Sequence, residues 1–194
     1  MSGVAETARL RLRPFTVADA DSLAALHGDP RVMRFLGDGR PEPRRVVETA
    51  TLPALLSEYR TLPPGHGCFA AEERGAGFVG WFSLRPAASA GLTGGTEIGY
   101  RLLPAAWGRG LATEGARALV RMAFAELGAE RVVATTMTVN HGSRRVLEKA
   151  GLKHVRTFFL AWPEYLPGAE QGDVEYALSR PVRESGGASP LSTR

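Results

Sequence analysis

The stretch Trp107-Gly108-Arg109-Gly110-Leu111-Ala112-Thr113-Glu114 decides how this chain is read. Behind its two glycines, Ala112, Ala116, Leu119, Val120, Ala123, Phe124 and Leu127 recur at three-to-four spacing, which predicts a helix over 111–127 ended by Gly128. Ahead of them, 96–103 alternates as a strand. A helix N-terminus exposes unpaired backbone N–H groups and about half a positive charge, and small residues let a phosphate come within hydrogen-bonding distance. The stretch therefore suits a pyrophosphate. A tight strand-to-helix turn without a ligand is the plainer alternative. A dinucleotide fingerprint would need glycine where Thr113 stands, and a P-loop would need Gly-Lys-Ser/Thr; neither is present.

Upstream, Leu10-Arg11-Leu12-Arg13-Pro14 alternates with period two and reads as an edge strand closed by Pro14. Thr16 and Asp19 have capping-box spacing and open a helix that reaches about His27, where Asp29-Pro30 breaks it. A second helical region covers 43–59, with Pro53 placed to kink or divide it. Segments 68–73, 78–84 and 96–103, separated by glycine-rich turns, predict an antiparallel meander. Downstream come a buried β-branched strand at 131–138, a short helix at 142–150 ended by Gly151, and strands at 153–161 and 173–180. The strand-helix-strand unit across 96–138 implies a locally parallel pair.

The 194 residues fit one domain, expected at 9–182 with a flexible N-terminus over 1–8 and a disordered Ser/Gly/Pro-rich tail over 183–194. At 44% hydrophobic and 23% charged, the composition excludes wholesale disorder, a collagen-like repeat and a coiled coil. No run approaches the roughly 18 apolar residues of a membrane span. The start lacks a basic and then apolar leader, so the cytoplasm is the expected compartment. Cys68 is the single cysteine, which excludes an internal disulfide and a cysteine-rich zinc site. Of the 24 basic residues behind the net charge of +4, only Lys149 and Lys153 are lysines. Arginines scattered among abundant Ala, Gly and Pro read as compositional bias and argue against nucleic acid as the partner, while a modest basic surface can steer a polyanionic cofactor. A nucleic-acid binder would show a steep salt dependence.

With these residues in place, the chain resembles the GNAT superfamily of acetyl-CoA-dependent N-acetyltransferases. Trp107-x-x-Gly110-x-Ala112 matches the last two fixed positions of that family's Arg/Gln-x-x-Gly-x-Gly/Ala motif and departs at the first. Trp followed by Gly is similar to the branch of ribosomal-protein alanine N-acetyltransferases, the Rim type. Asn140-His141-Gly142-Ser143 through Glu148-Lys149-Ala150-Gly151 resembles a second family segment, and the element order from about Arg9 to Arg180 agrees as well. The resemblance implies an α+β fold, a mixed and mostly antiparallel twisted sheet of about seven strands flanked by about four helices, splayed at a parallel pair. It implies acetyl-CoA as cosubstrate, with no metal. The cofactor contacts would come from Leu102 and Leu103 backbone, from Trp107, Gly108, Arg109, Gly110, Leu111, Ala112 and Thr113, and from Asn140 and Ser143.

Acetyl transfer to an amine needs a neutral nucleophile, a polarised thioester carbonyl and a proton for the leaving thiolate. Alternation over 97–102 puts Glu97, Gly99 and Arg101 on one face and Ile98, Tyr100 and Leu102 on the other. Glu97-Ile98-Gly99-Tyr100 resembles a strand of many of these acetyltransferases whose Glu removes an ammonium proton, which makes Glu97 the candidate general base, with Glu164 and Glu175 in reserve; a solvated or salt-bridged strand carboxylate is the plainer alternative. Many relatives carry a tyrosine acid seven residues after the Asn; here that position is Leu147. Ser143 is left as the candidate acid, or as an N-cap of the short helix. His141 is assigned to the surface.

The resemblance places the acceptor groove at about 27–62 and 160–173. The acids Glu164, Glu170 and Asp173 in the second segment favour a cationic amine such as a peptide N-terminus, a polyamine or an aminoglycoside; a solvated loop or a homodimer contact is the alternative. The Rim-type likeness leans toward a protein N-terminal amine, while the same branch also includes small-molecule acetyltransferases. The rival function, prompted by Leu147, is an acyl-CoA-binding sensor that retains the cradle without turnover.

Overall fold

The computed structural model describes residues 4–160 and 166–180. Its framework is one sheet of eight strands: β1 (Ala5–Glu6), β2 (Leu10–Pro14), β3 (Gly67–Glu73), β4 (Gly77–Pro86), β5 (Thr96–Leu102), β6 (Arg131–Met137), β7 (Lys153–Phe158) and β8 (Asp173–Ser179). They lie in the order β1-β2-β3-β4-β5-β6-β8-β7. Among the described residues only β5 and β6 run parallel, and their register ends after Thr96 opposite Val132 and Glu97 opposite Val133. Beyond Glu97 the two strands part.

The eighth strand is the one the sequence reading lacks. Ala5 and Glu6 fold back on Leu12 and Arg11, so β2 is flanked on both sides and is not an edge. The expectation of a flexible stretch over 1–8 therefore fails for its described part: Val4 N–H donates to Leu12 C=O at 2.8 Å and Thr7 Oγ1 to the Glu114 carboxylate at 2.6 Å. A two-residue strand is too short to show a period, which is why alternation does not reveal it. The tail over 183–194 lies outside the described residues.

Helices cover both faces. The sequence-predicted capping box at Thr16 and Asp19 is formed, and α1 (Ala20–His27) follows it. Asp29-Pro30 ends α1 and also starts the four-residue α2 (Pro30–Met33), with the Asp29 carboxylate accepting from Arg31 N–H at 2.8 Å and proline at a position whose N–H has no helical partner. After α3 (Arg44–Val46) comes a π-helical turn, Val47–Thr51, and then α4 (Leu52–Thr61). Pro53 has no N–H for the carbonyl four residues back and its ring crowds that carbonyl, so the turn before it widens and Leu52 N–H reaches Val47 C=O. On the opposite face lie α5 (Leu111–Ala125) and α6 (His141–Lys149).

Alternation sorts the two larger cores. Leu10, Leu12, Phe82, Leu84, Ile98 and Leu102 pack under α5 with Leu111, Leu119 and Ala123, while Phe15, Leu23, Val47, Leu52, Cys68 and Ala70 form a smaller core beneath α1 and α4. Each fully buried leucine contributes about 2 kcal/mol of apolar transfer. Gly115 sets the height of α5, since a Cβ there would stand 2.1 Å from the Phe82 ring.

Candidate active site

The loop from β5 into α5 has the form a phosphate cradle requires. Gly108 and Gly110 take φ of +72° and +80°, in the left-handed region that favours glycine. Gly110 is the N-cap of α5 and brings no side chain, so no side chain caps the first N–H groups of the helix. The Leu111 side chain is fully buried in the core, which leaves its backbone to face a ligand. Ala112 and Thr113 follow on the same first turn. Trp107 is half exposed, and its Nε1–H donates to Leu102 C=O at 2.8 Å, fastening the loop to the end of β5.

Arg109 departs from the expected arrangement. Its guanidinium is paired with the Glu73 carboxylate, at 2.8 Å and 2.5 Å. The cationic groups at the mouth are others. A cleft of about 510 Å³ is lined by Arg9, Gly110, Thr113, Arg117, Arg121 and Lys149 among others. The spacing of Thr113, Arg117 and Arg121, one helical turn apart, was the signal in the sequence. Leu103 is a second correction: its N–H donates to Val79 C=O at 2.9 Å and is not free for an acyl arm. By the alternation of an antiparallel ladder, the Leu102 N–H points the other way, into the gap where β6 has parted.

On the opposite face of β5, Glu97 stands across from Arg85 of β4. Burial raises the Glu97 pKa above the usual carboxylate range, with Arg85 opposing. Arg85 directs its guanidinium at Glu58, at 2.8 Å and 3.0 Å, and no hydrogen bond reaches Glu97 among the described residues. Gly99 clears the space beside it: a Cβ there would come within 2.6 Å of Ser83 Oγ. The reserve carboxylates fare differently. Glu175 is buried, which by itself would raise its pKa, yet Arg156 at 2.8 Å and Arg131 at 2.9 Å hold it below the usual range as a structural anion. Glu164 lies outside the described residues, as does the stretch 161–165 of the expected acceptor loop.

At the start of α6, Asn140 Oδ1 accepts from Ser143 N–H at 3.1 Å, so Asn140 is the cap and Ser143 is not. The Ser143 hydroxyl instead meets the Tyr100 phenol at 2.9 Å. A tyrosine is thus present beside Ser143, brought by β5 rather than by α6, while Leu147 is buried core. Burial raises the pKa of that phenol, against its hydrogen bond with Ser143. Sequence reading missed the pair because the residues stand 43 positions apart. His141 is exposed, as expected.

A further polar cluster lies where α1 meets the sheet. His27 Nδ1 and the Glu42 carboxylate are 2.6 Å apart, while Trp81 Nε1–H and Arg101 Nη1–H point at His27 Nε2 from 3.2 Å and 2.9 Å. Indole and guanidinium can only donate, so Nε2 carries the lone pair and Nδ1 the proton. Burial, then the Arg101 charge, lowers the His27 pKa, and the ring is neutral. Glu42 is also held by Thr51. The spacing of Leu23, Leu26 and His27 along α1 marks His27 as inward-facing, a signal legible in the sequence.

Residues 9–153 match the family model described as acetyltransferase (GNAT) domain. A curated relative from Aspergillus fumigatus, named FsC-acetyl coenzyme A-N(2)-transacetylase, is 39% identical over 179 residues, covering 90% of this chain and 75% of that protein. Among solved structures, a GNAT-family acetyltransferase from Bacillus anthracis superposes with a TM-score of 0.73 at 21% identity, over 90% of this chain and 96% of that one. RimL, a ribosomal L7/L12 alpha-N-protein acetyltransferase solved with coenzyme A, gives 0.72 at 17% identity, over 91% and 97%. At these identities the two structures speak to fold.

Proposed function

Because this chain belongs to the GNAT acetyltransferase family, and is an acetyl-CoA-dependent acetyltransferase, we propose that it acetylates a primary amine by direct attack in a ternary complex. The observation that carries the reading is the uncapped N-terminus of α5 behind Gly108 and Gly110, beside a β5 edge from which β6 has parted. Leu111, Ala112 and Thr113 N–H groups hold the pyrophosphate, with Arg117, Arg121 and Lys149 supplying charge at the mouth. Leu102 N–H and the Asn140 amide N–H₂ grip the pantetheine arm. Acetyl-CoA supplies an activated acyl group as its thioester.

Glu97 takes a proton from the incoming ammonium. Its raised pKa makes it a stronger base than an exposed carboxylate, and the lack of a direct hydrogen bond leaves its lone pairs available. Ser143, its hydroxyl held by the Tyr100 phenol at 2.9 Å, gives a proton to the departing thiolate and is reprotonated by the proton that the newly acylated nitrogen sheds. Arg85 places Glu97 without clamping it.

The Trp-Gly opening of the cradle favours the Rim-type branch, and the N(2) in the name of the Aspergillus relative favours an amine nitrogen as acceptor. Cytoplasmic action fits both; among the described residues no helix is long and apolar enough to cross a membrane. A screen of peptide N-termini, lysine, polyamines and aminoglycosides, read by release of the CoA thiol, tests the proposal. Acetylation of at least one amine is expected. Acetyl-CoA binding with no thiol release from any of them would favour the sensor reading.

A further inference from the structure

Arg101 is an unusual cation. Its guanidinium forms no ion pair among the described residues, its Nε is buried without a partner, and its Nη1 is given to a neutral imidazole and to the Met33 sulfur at 3.4 Å. The Trp81 ring lies 5.1 Å from its central carbon. Burial lowers its pKa to about 10, so at neutral pH it is still charged. A buried cation without an anion in contact is costly unless something else supplies one.

The setting indicates what that is. Arg101 forms one wall of a cleft of about 390 Å³ whose other walls come from α1, α2, Thr51 and the 36–43 loop, including Asp38, Arg40 and Glu42. Leu166, beyond the far end of β7, closes the loop from behind, since a Cβ on Gly39 would stand 2.5 Å from it. Glu42 is hydrogen-bonded to His27 and Thr51, so its charge acts on Arg101 across the imidazole without touching the guanidinium. His27 uses both nitrogens and thereby positions the guanidinium. Along β5, Arg101 shares a face with Gly99 and Glu97, at about 7 and 13 Å by strand rise.

We propose that Arg101 is the acceptor-anchoring residue, and that the acceptor is an amine carrying a carboxylate about five to six bonds from its nitrogen. The inference rests on the acetyl-transfer reading for its orientation, with the amine toward Glu97 and the carboxylate on Arg101. A guanidinium edge matches a carboxylate, and with Asp38 and Glu42 set against Arg40 and Arg101 the cleft has no surplus positive charge for a phosphate dianion, which favours a monoanion.

The test uses matched acids and amides. Glycine, 4-aminobutyrate, 5-aminovalerate and 6-aminohexanoate, each beside its carboxamide, are titrated by calorimetry into the CoA-loaded wild type, Arg101→Lys and Arg101→Met, and thiol release is followed in parallel with acetyl-CoA. The wild type should bind the longer acids at least tenfold more tightly than their amides, and glycine with no such preference. Arg101→Met should level acid and amide, and Arg101→Lys should keep part of the difference. If Arg101→Met fails to bind CoA and so is misfolded, the wild-type acid-to-amide ratio and the lysine variant decide alone. Equal affinity or no affinity for acid and amide in the wild type overturns the inference, and so does a preference that survives in Arg101→Met. Turnover without an acid preference sinks the anchor and leaves acetyl transfer standing; an acid preference without turnover does the reverse.

Discussion

The two faces of β5 are built from different material. Toward α5 and α6 the grip on the cosubstrate is chiefly backbone: glycines at positive φ, the N–H groups of one helical turn, and the free edge of a strand, with Asn140, Ser143, Tyr100 and the basic side chains of the mouth around them. Toward α1–α4 it is made of side chains, with Glu97, Arg85, Glu58, His27, Glu42 and Arg101 arriving from five separate segments. Backbone donors are the same in every sequence, so the first face fits a cosubstrate that does not vary. A side-chain face can be rewritten residue by residue, which suits an acceptor that does.

Gly110→Val breaks the backbone face most severely. A β-branched residue at φ of +80° is strained, and its side chain covers the cradle. Calorimetry should show acetyl-CoA affinity reduced by about 100-fold or more. Wild-type affinity would refute the cradle.

Glu97→Gln sharpens the side-chain face. Turnover should fall by about 10²–10³ with acetyl-CoA affinity intact. The base is needed while the amine is protonated, so the deficit should be greatest between the raised Glu97 pKa and that of the amine, closing as the amine loses its proton unaided. A pH-rate profile of unchanged shape would move the base elsewhere.

Glu175 supplies the contrast for Glu97: another buried strand carboxylate, but one gripped by two guanidinium groups. Glu175→Gln should leave turnover alone and reduce stability at pH 7 by about 1.5–3 kcal/mol. Its folded pKa is depressed, so its contribution is present above the unfolded value of about 4.3 and is lost as pH falls through the folded one. The gap in Tm between wild type and variant should therefore close in acid. A loss of turnover at full stability would reverse the roles assigned to the two acids.

The smallest effect is expected at the seam. Tyr100→Phe removes two hydrogen bonds to Ser143, one to its hydroxyl and one to its carbonyl, and should lower kcat by about three- to tenfold with a stability cost of about 1–2 kcal/mol. Equal losses in Tyr100→Phe and Ser143→Ala would make the two hydroxyls one unit in donating the proton.

The same division explains what could be read in advance. Glycine before an amphipathic helix, the capping box at Thr16, and the meander are local patterns, and each predicted element has its counterpart among the described residues. Arg109 reads as a cradle residue because its neighbours are; its partner Glu73 is 36 residues away and nothing local announces it. Leu147 correctly signals that α6 lacks a tyrosine, but only the packing of β5 against α6 brings Tyr100 to Ser143. His27 and Arg101, 74 positions apart, each carry a local sign of facing inward, and their meeting is a product of the tertiary fold.

Gly115 makes no hydrogen bond to any proposed ligand, yet the absence of its side chain lets α5 rest on Phe82. The elevation of the whole phosphate-binding turn above the sheet is thereby set from within the core. A methyl group there would tilt the cradle from below, so a mutational survey ranked by distance to the cosubstrate would overlook one of the positions that governs its affinity.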